Sequence, residues 1–97
     1  MSEQQSETQI TENTAARRFE AHIDGALAGF ADYRDDQAVR SFVHTEIDRA
    51  FGGRGVGSTL VDEALRATIA DGKQIRPICS FVVARAAADE FAAHVVH

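Results

Sequence analysis

The chain has 97 residues, with 15 acidic side chains against 10 basic ones, a formal net charge of -5 and a single cysteine. That length holds one core, since domains typically run about 100 to 150 residues, and the scattered basic residues exclude a binder of phosphate backbones, which needs clustered Lys and Arg. No apolar run approaches the roughly 20 residues that span a bilayer, and no basic-then-apolar leader opens the chain; with Cys79 lacking any disulfide partner, the expected setting is the cytoplasm.

Residues 1–16, "MSEQQSETQITENTAA", offer a core little beyond Ile10 and read as a disordered tail, leaving 17–97 as the domain. From Arg17 to Tyr33 the dipeptide Asp24-Gly25 sits at the middle of two apolar-rich runs. Both of its positions tolerate positive φ, so the stretch reads as a two-residue hairpin, with Phe19 opposite Phe30 and Ala21 opposite Ala28. "RDDQ" follows as a second turn. "AVRSFVHTEI" then reads as a third strand, with Val39, Val43, Thr45 and Ile47 on one face and Arg40, Phe42, His44 and Glu46 on the other.

Past a cluster of glycines, Val56, Leu60, Val61, Ala64, Leu65 and Ile69 recur at helical spacing, and Gly72 supplies a stop. Asp62 and Arg66 stand four apart on the solvated face of that helix, a spacing suited to a weak ion pair. Ile75 to Cys79 is a short β-branched run, predicted as a fourth strand. The Ala-rich remainder predicts one or two short helices with Ser80 as N-cap. The order β-β-β-α-β-α defines an α+β single domain: an antiparallel β-meander, then a β-α-β unit with parallel strands and a right-handed crossover, then a C-terminal helix.

The glycine cluster carries the strongest chemical signal. Gly52, Gly53, Gly55 and Gly57 leave the backbone unshielded where a helix begins, so several N–H groups can point at one anion, a phosphate or pyrophosphate. Arg54 inside the loop is a candidate to neutralise its charge. The dinucleotide fingerprint fails, because Ser58 falls where its third glycine belongs. The triphosphatase loop fails too, because Ser58 also falls where its lysine belongs, although Thr59 is in the hydroxyl place.

With Gly55-Val56-Gly57 at the start of a helix, "HTEI" before the loop, "VDEAL" after it and "IRPICSFV" beyond, the sequence resembles the GCN5-related N-acetyltransferase (GNAT) superfamily, and more closely its minimal single-domain, YjdJ-type branch. The likeness runs from about Phe19 to Val96. It implies a GNAT-like fold, acetyl-CoA as co-substrate, no metal, and an amine acceptor that the sequence does not name. It further implies that the backbone at Gly53, Arg54, Gly55, Val56, Gly57 and Ser58 holds the CoA pyrophosphate, with Thr45 and Ile47 beside the pantetheine. An extended strand edge can pair with the pantetheine amides as with another strand. The chain departs from the pattern at Gly52, where the superfamily has Gln or Arg, at Ser80, which replaces a Pro, and at Phe91, where the small branch tends to have Tyr.

Three residues are candidates for chemistry. Cys79, if the fold is GNAT-like, lies near the gap between strands where a thioester sits, and reads either as a nucleophile or as a small buried hydrophobe. His44 and Glu46 share a strand face and read either as a general base or as solvent-facing strand residues. His22, His94 and His97 join no constellation, and the four His show no metal-ligand pairing with each other or with Cys79. Two classes of function stay open: an acetyltransferase, and a non-catalytic acyl-CoA-binding module, with a ligand-free interaction domain as a weaker third.

Overall fold

The computed structural model describes residues 7–97, and within them five strands lie in chain order in one sheet. They are β1 (Thr8–Asn13), β2 (Arg18–Ile23), β3 (Ala26–Asp36), β4 (Val39–Ile47) and β5 (Gln74–Pro77). β1 to β4 are antiparallel neighbours and β4 pairs with β5 in parallel, so the predicted meander and β-α-β unit are both present. A 3-10 turn, Arg49–Phe51, follows β4; helix α1 is Val56–Ala70, and two short helices, α2 (Ser80–Ala86) and α3 (Asp89–Ala92), close the chain.

The expectation of a tail over residues 1–16 is corrected in its second half. Thr8 to Asn13 pairs with β2 along its whole length, and Ile10 packs against the core. Residues 1–6 lie outside the described residues. β1 escapes a hydrophobicity reading because it brings one apolar side chain; its stability comes from ladder bonds and from Glu12, which accepts a hydrogen bond from the Tyr33 phenol.

The Asp24-Gly25 turn forms as predicted, with φ of 53° and 82° and Ile23 opposite Ala26. The register beyond it does not hold. A β-bulge at Ala28 sets Ala21 against Gly29 and Phe30 against Glu20, so Phe19 is buried while Phe30 turns to the opposite face under the Arg18 guanidinium. The Ala28 carbonyl that the bulge frees accepts from the Asp48 amide at 2.8 Å. The second turn falls at Gln37-Ala38 rather than across "RDDQ", because β3 stays paired to Asp36, helped by the Arg40–Asp35 ion pair across the strands.

A second bulge, at Val43 in β4, overturns the predicted face assignment. Tyr33 opposes Phe42 and Asp32 opposes His44, leaving Val43 as the extra residue. Arg40 and Phe42 therefore share the core side with Thr45 and Ile47, and His44 and Glu46 stand on the open side.

α1 covers one side of the sheet, burying Val56, Leu60, Val61, Ala64, Leu65 and Thr68. Small residues opposite it, Ala21 and Ala31, allow close approach, and Phe19, Tyr33 and Phe42 fill the rest. Gly72, at φ 78°, ends the helix as predicted, its amide bonding the Ile69 carbonyl while Lys73 bonds that of Thr68. The expected Asp62–Arg66 pair is not formed: Asp62 binds Arg85 of α2 at 2.6 Å, and Arg66 binds Glu63 and Glu90. These contacts clasp α2 and α3 to α1. The outer edge of β5 is covered by the chain end, Ile75 bridging to Val95. No helix of the described residues is long and apolar enough to cross a membrane.

Where β1, β3 and β4 meet, Arg40 is 3% exposed, forked onto Asp35 at 2.8 and 3.0 Å and stacked over the Tyr33 ring. Burial, then the hydrogen bond to Glu12, pushes the Tyr33 phenol up from 10.0 to about 12. A raised pKa means the neutral phenol stabilises the fold fully below the unfolded value near 10, and that this contribution is lost as pH rises through about 12. The chain has one tyrosine and no tryptophan, so phenolate absorbance reports this site alone. Its midpoint is expected near 12 in the folded protein and lower in Glu12→Gln; a folded-state midpoint at the value of free tyrosine would contradict the packing described.

Candidate active site

The loop between β4 and α1 is built by its glycines. Gly53 and Gly55 adopt φ of 80° and 74°, a left-handed region costly for residues with a Cβ. A Cβ at either would meet nothing within 4 Å, so these glycines serve backbone shape and leave open space beside the chain. Gly55 is the N-cap of α1 and has no side chain to occupy the first-turn donors. The first helical bond runs from the Thr59 amide to the Gly55 carbonyl, so the amides of Val56, Gly57 and Ser58 donate to no acceptor among the described residues. No acidic residue sits in this first turn to repel an anion.

These amides open into a cleft of about 340 Å³ whose opposite wall is Thr45 and Ile47 of β4. Of the predicted cofactor residues, Thr45, Ile47, Gly53, Gly55, Val56, Gly57 and Ser58 meet there. Arg54 does not line the cleft; its guanidinium lies 5.5 Å from the Phe51 ring centre and has no carboxylate partner among the described residues. Sequence reasoning missed Phe51 and Phe81, which give the cleft its apolar walls. Gly57 is what admits Phe81, since a Cβ there would sit 3.0 Å from the ring. Phe81 had no local signal beyond its place in a helical run, because its approach to Gly57 is a tertiary contact.

β4 and β5 pair only as far as Phe42 and Pro77, after which they separate. The Phe42 carbonyl accepts from both the Ile78 and Cys79 amides, closing the apex of the gap. β4 from Val43 onward thus has an edge that β5 leaves unpaired. Cys79 does not end the fourth strand as expected; it is the N-cap residue of α2, which displaces Ser80 from that place into the first helical turn. Its sulfur lies 3.7 Å from the Thr45 hydroxyl, at the mouth of the gap. Burial pushes the thiol up, but the Thr45 hydroxyl and the amides of Val82, Phe81 and Thr45 favour the thiolate more, so it titrates below the ordinary thiol value.

His44 and Glu46 are together, with Nε2 and Oε1 3.4 Å apart, and both are more than half exposed. They stand on the open face of the sheet, across β4 from the glycine-lined cleft, with the Phe30 ring 6.1 Å from the imidazole. The sequence-predicted residues therefore divide: one set lines the cleft, and the dyad faces away from it, with the β4–β5 gap and Cys79 between. Tyr33, the one tyrosine of the sequence, is engaged with Glu12, and Phe91, a ring without a hydroxyl, is 1% exposed within the core. No cluster of three metal-ligating side chains occurs among the described residues.

An antiparallel meander, a parallel strand pair that splays, and a glycine loop opening the intervening helix together define an N-acetyltransferase type of domain. The chain belongs to the GCN5-related N-acetyltransferase family, whose model matches residues 18–93. The fold is shared with the NMR solution structure of a GCN5-like protein from Staphylococcus aureus, at a TM-score of 0.68 and 20% identity over 91% of this chain and 87% of that one. No curated protein gives a significant match.

Proposed function

We propose that the protein is an acetyl-CoA-dependent acetyltransferase acting on an amine, with the pyrophosphate on the amides of Gly55 to Ser58 and the pantetheine along Thr45 to Ile47. The observation that carries this reading is the cleft itself: first-turn amides with no acceptor among the described residues, apolar walls and the edge of β4 that β5 leaves unpaired line it together, and its wall residue Thr45 has the Cys79 sulfur 3.7 Å away. The donor set suits the ligand, since a helix N-terminus favours phosphate charge and Gly53 and Gly55 leave room for it. Arg54, with no carboxylate partner among the described residues, would swing from the Phe51 ring towards the phosphates.

Acetyl-CoA supplies an activated acetyl thioester. On the protein's side, Cys79 offers a thiolate held by Thr45 and by amides of Phe81 and Val82, suited to accept an acyl group. His44 takes the proton of the incoming amine, and Glu46 holds the imidazolium so formed.

Isothermal titration with acetyl-CoA and with free CoA, at low and moderate salt, tests the reading. Both are expected to saturate, more weakly at higher salt because phosphate recognition is electrostatic. No heat at millimolar concentration would overturn it. Cys79→Ala is expected to keep the affinity and lose acetyl-CoA turnover, read as release of the CoA thiol; binding without turnover in the wild type itself would favour the non-catalytic module.

A further inference from the structure

A second hollow, a groove of about 370 Å³, lies where β4 ends beside β3. Its size is within the range of small-molecule sites, roughly 300 to 1,000 Å³. Glu46 of the dyad is one of its walls, with Phe30 and Leu27 among the others. All three stand on the open side of the sheet. Phe30 is directly opposite Glu46 across the strands, and Leu27 is opposite His22, which alternates with the core residues Ala21 and Ile23. The Phe30 and His44 rings are 6.1 Å apart, so both members of the dyad adjoin the groove. Ile47 lines this groove and the glycine-lined cleft alike. Thr45, Glu46 and Ile47 thus belong to one stretch of β4, the stretch whose edge β5 leaves unpaired, with the cleft at Thr45 and the groove at Glu46.

The walls select an occupant. Leu27 is 40% exposed, one of few large apolar side chains left in water among the described residues, and with the Phe30 ring it offers apolar surface at one end. The walls also carry two carboxylates, Glu46 and Asp48, against one guanidinium, Arg49. The Asp48 carboxylate accepts from the Ala50 amide at 2.8 Å, whereas the Glu46 carboxylate meets only the His44 ring, at 3.4 Å, among the described residues. The nearby Arg18 guanidinium, 4.5 Å from the Phe30 ring centre, has its charge met by Glu20 at 2.8 Å. A cation is therefore favoured beside Glu46, and an apolar body beside Leu27 and Phe30.

We propose that this groove is the acceptor site and that the acceptor is a primary amine on an apolar body, an alkylamine or arylalkylamine without an anionic group. Its ammonium lies against Glu46, next to the His44 base, and its body covers Leu27 and Phe30, where each methylene taken from water strengthens binding. The proposal rests on the assignment of the glycine-lined cleft to acetyl-CoA, because that brings the acetyl group to the stretch of β4 that carries Glu46.

The test is isothermal titration of the full chain with straight-chain primary amines from ethylamine to hexylamine and with the alcohols of equal length, which lack the charge. The titrations are run with and without saturating CoA. Affinity is expected to rise about twofold to fourfold with each methylene as the groove fills, and each alcohol to bind about tenfold or more weakly than its amine. Leu27→Asn is expected to flatten the dependence on chain length, and Glu46→Gln to remove the preference for amines while keeping that dependence, with melting curves confirming that both variants fold. Affinity independent of chain length, alcohols that bind as well as amines, either trend undiminished in its variant, or no amine binding at all would each overturn the proposal. Acetyl-CoA binding without amine binding defeats the groove alone; amine binding without acetyl-CoA binding defeats the cleft assignment alone.

Discussion

Gly55→Asn is expected to leave the melting temperature near that of the parent and to weaken acetyl-CoA binding about a hundredfold or more. Asparagine tolerates the left-handed conformation that Gly55 adopts at φ 74°, so the turn survives. Its side chain, however, enters the space that the structure leaves open beside Gly55, where the phosphates would approach the amides. Its amide oxygen is also a potential cap for the first-turn donors of α1. Losing two charge-assisted hydrogen bonds at about 1.5 to 3 kcal/mol each corresponds to a hundredfold or more in affinity. Gly55→Val is the contrasting case, adding backbone strain to the blockage, and is expected to lose both affinity and thermal stability. Calorimetric titration beside a melting curve separates the two; an unimpaired Gly55→Asn variant would remove the loop from the ligand site.

Gly29→Ala is expected to lower the melting temperature by about 10 °C, the largest stability effect of any single methyl added to the sheet. Gly29 faces Ile47 across β3 and β4, and an added Cβ would lie 2.6 Å from Ile47 Cδ1 and 2.7 Å from the Glu46 carbonyl oxygen. The side chain can yield, but the carbonyl belongs to the ladder beside the Ala28 bulge and cannot move without disturbing it. Overpacking of this kind costs about 1 to 3 kcal/mol, and each kcal/mol is worth about 4 to 8 °C in a domain of this size. Ile47 is also a wall of the glycine-lined cleft, so acetyl-CoA affinity is expected to fall as well. Adding Ile47→Val removes one of the two clashes and should restore part of the stability; full restoration would show that the carbonyl contact is harmless.

Much of the architecture was legible in short stretches. The Asp24-Gly25 turn, the apolar period of α1, its stop at Gly72 and the parallel strand that follows each depend on a few adjacent residues. The glycine cluster was likewise readable as a special backbone where a helix starts: Gly53 and Gly55 take positive φ beside open space, and Gly57 admits the Phe81 ring. Seven of the eight expected cofactor residues meet in one cleft for that reason, and Arg54 stands outside because an arginine's direction is set by its neighbours, here Phe51. The strand β1 was missed because its hold on the sheet comes through Glu12, Tyr33 and Arg40, partners remote in sequence.

By itself, then, the sequence determined the order of elements from β2 onward, the family likeness and the glycine-built strand-to-helix loop, all of which are local properties of turn chemistry, period and backbone freedom. Only the tertiary structure decided which side chains share a face. Period-two alternation assumes unbroken pairing, and the bulges at Ala28 and Val43 break it where contacts from other segments require, as the Asp48 amide does at the Ala28 carbonyl. Those two extra residues send Phe30, His44 and Glu46 to the open side of the sheet and Thr45 and Ile47 to the cleft, with Cys79 beside Thr45 at the gap between them. The division of the site into a glycine-lined side and a dyad side is a consequence of strand pairing, which no stretch of sequence carries alone.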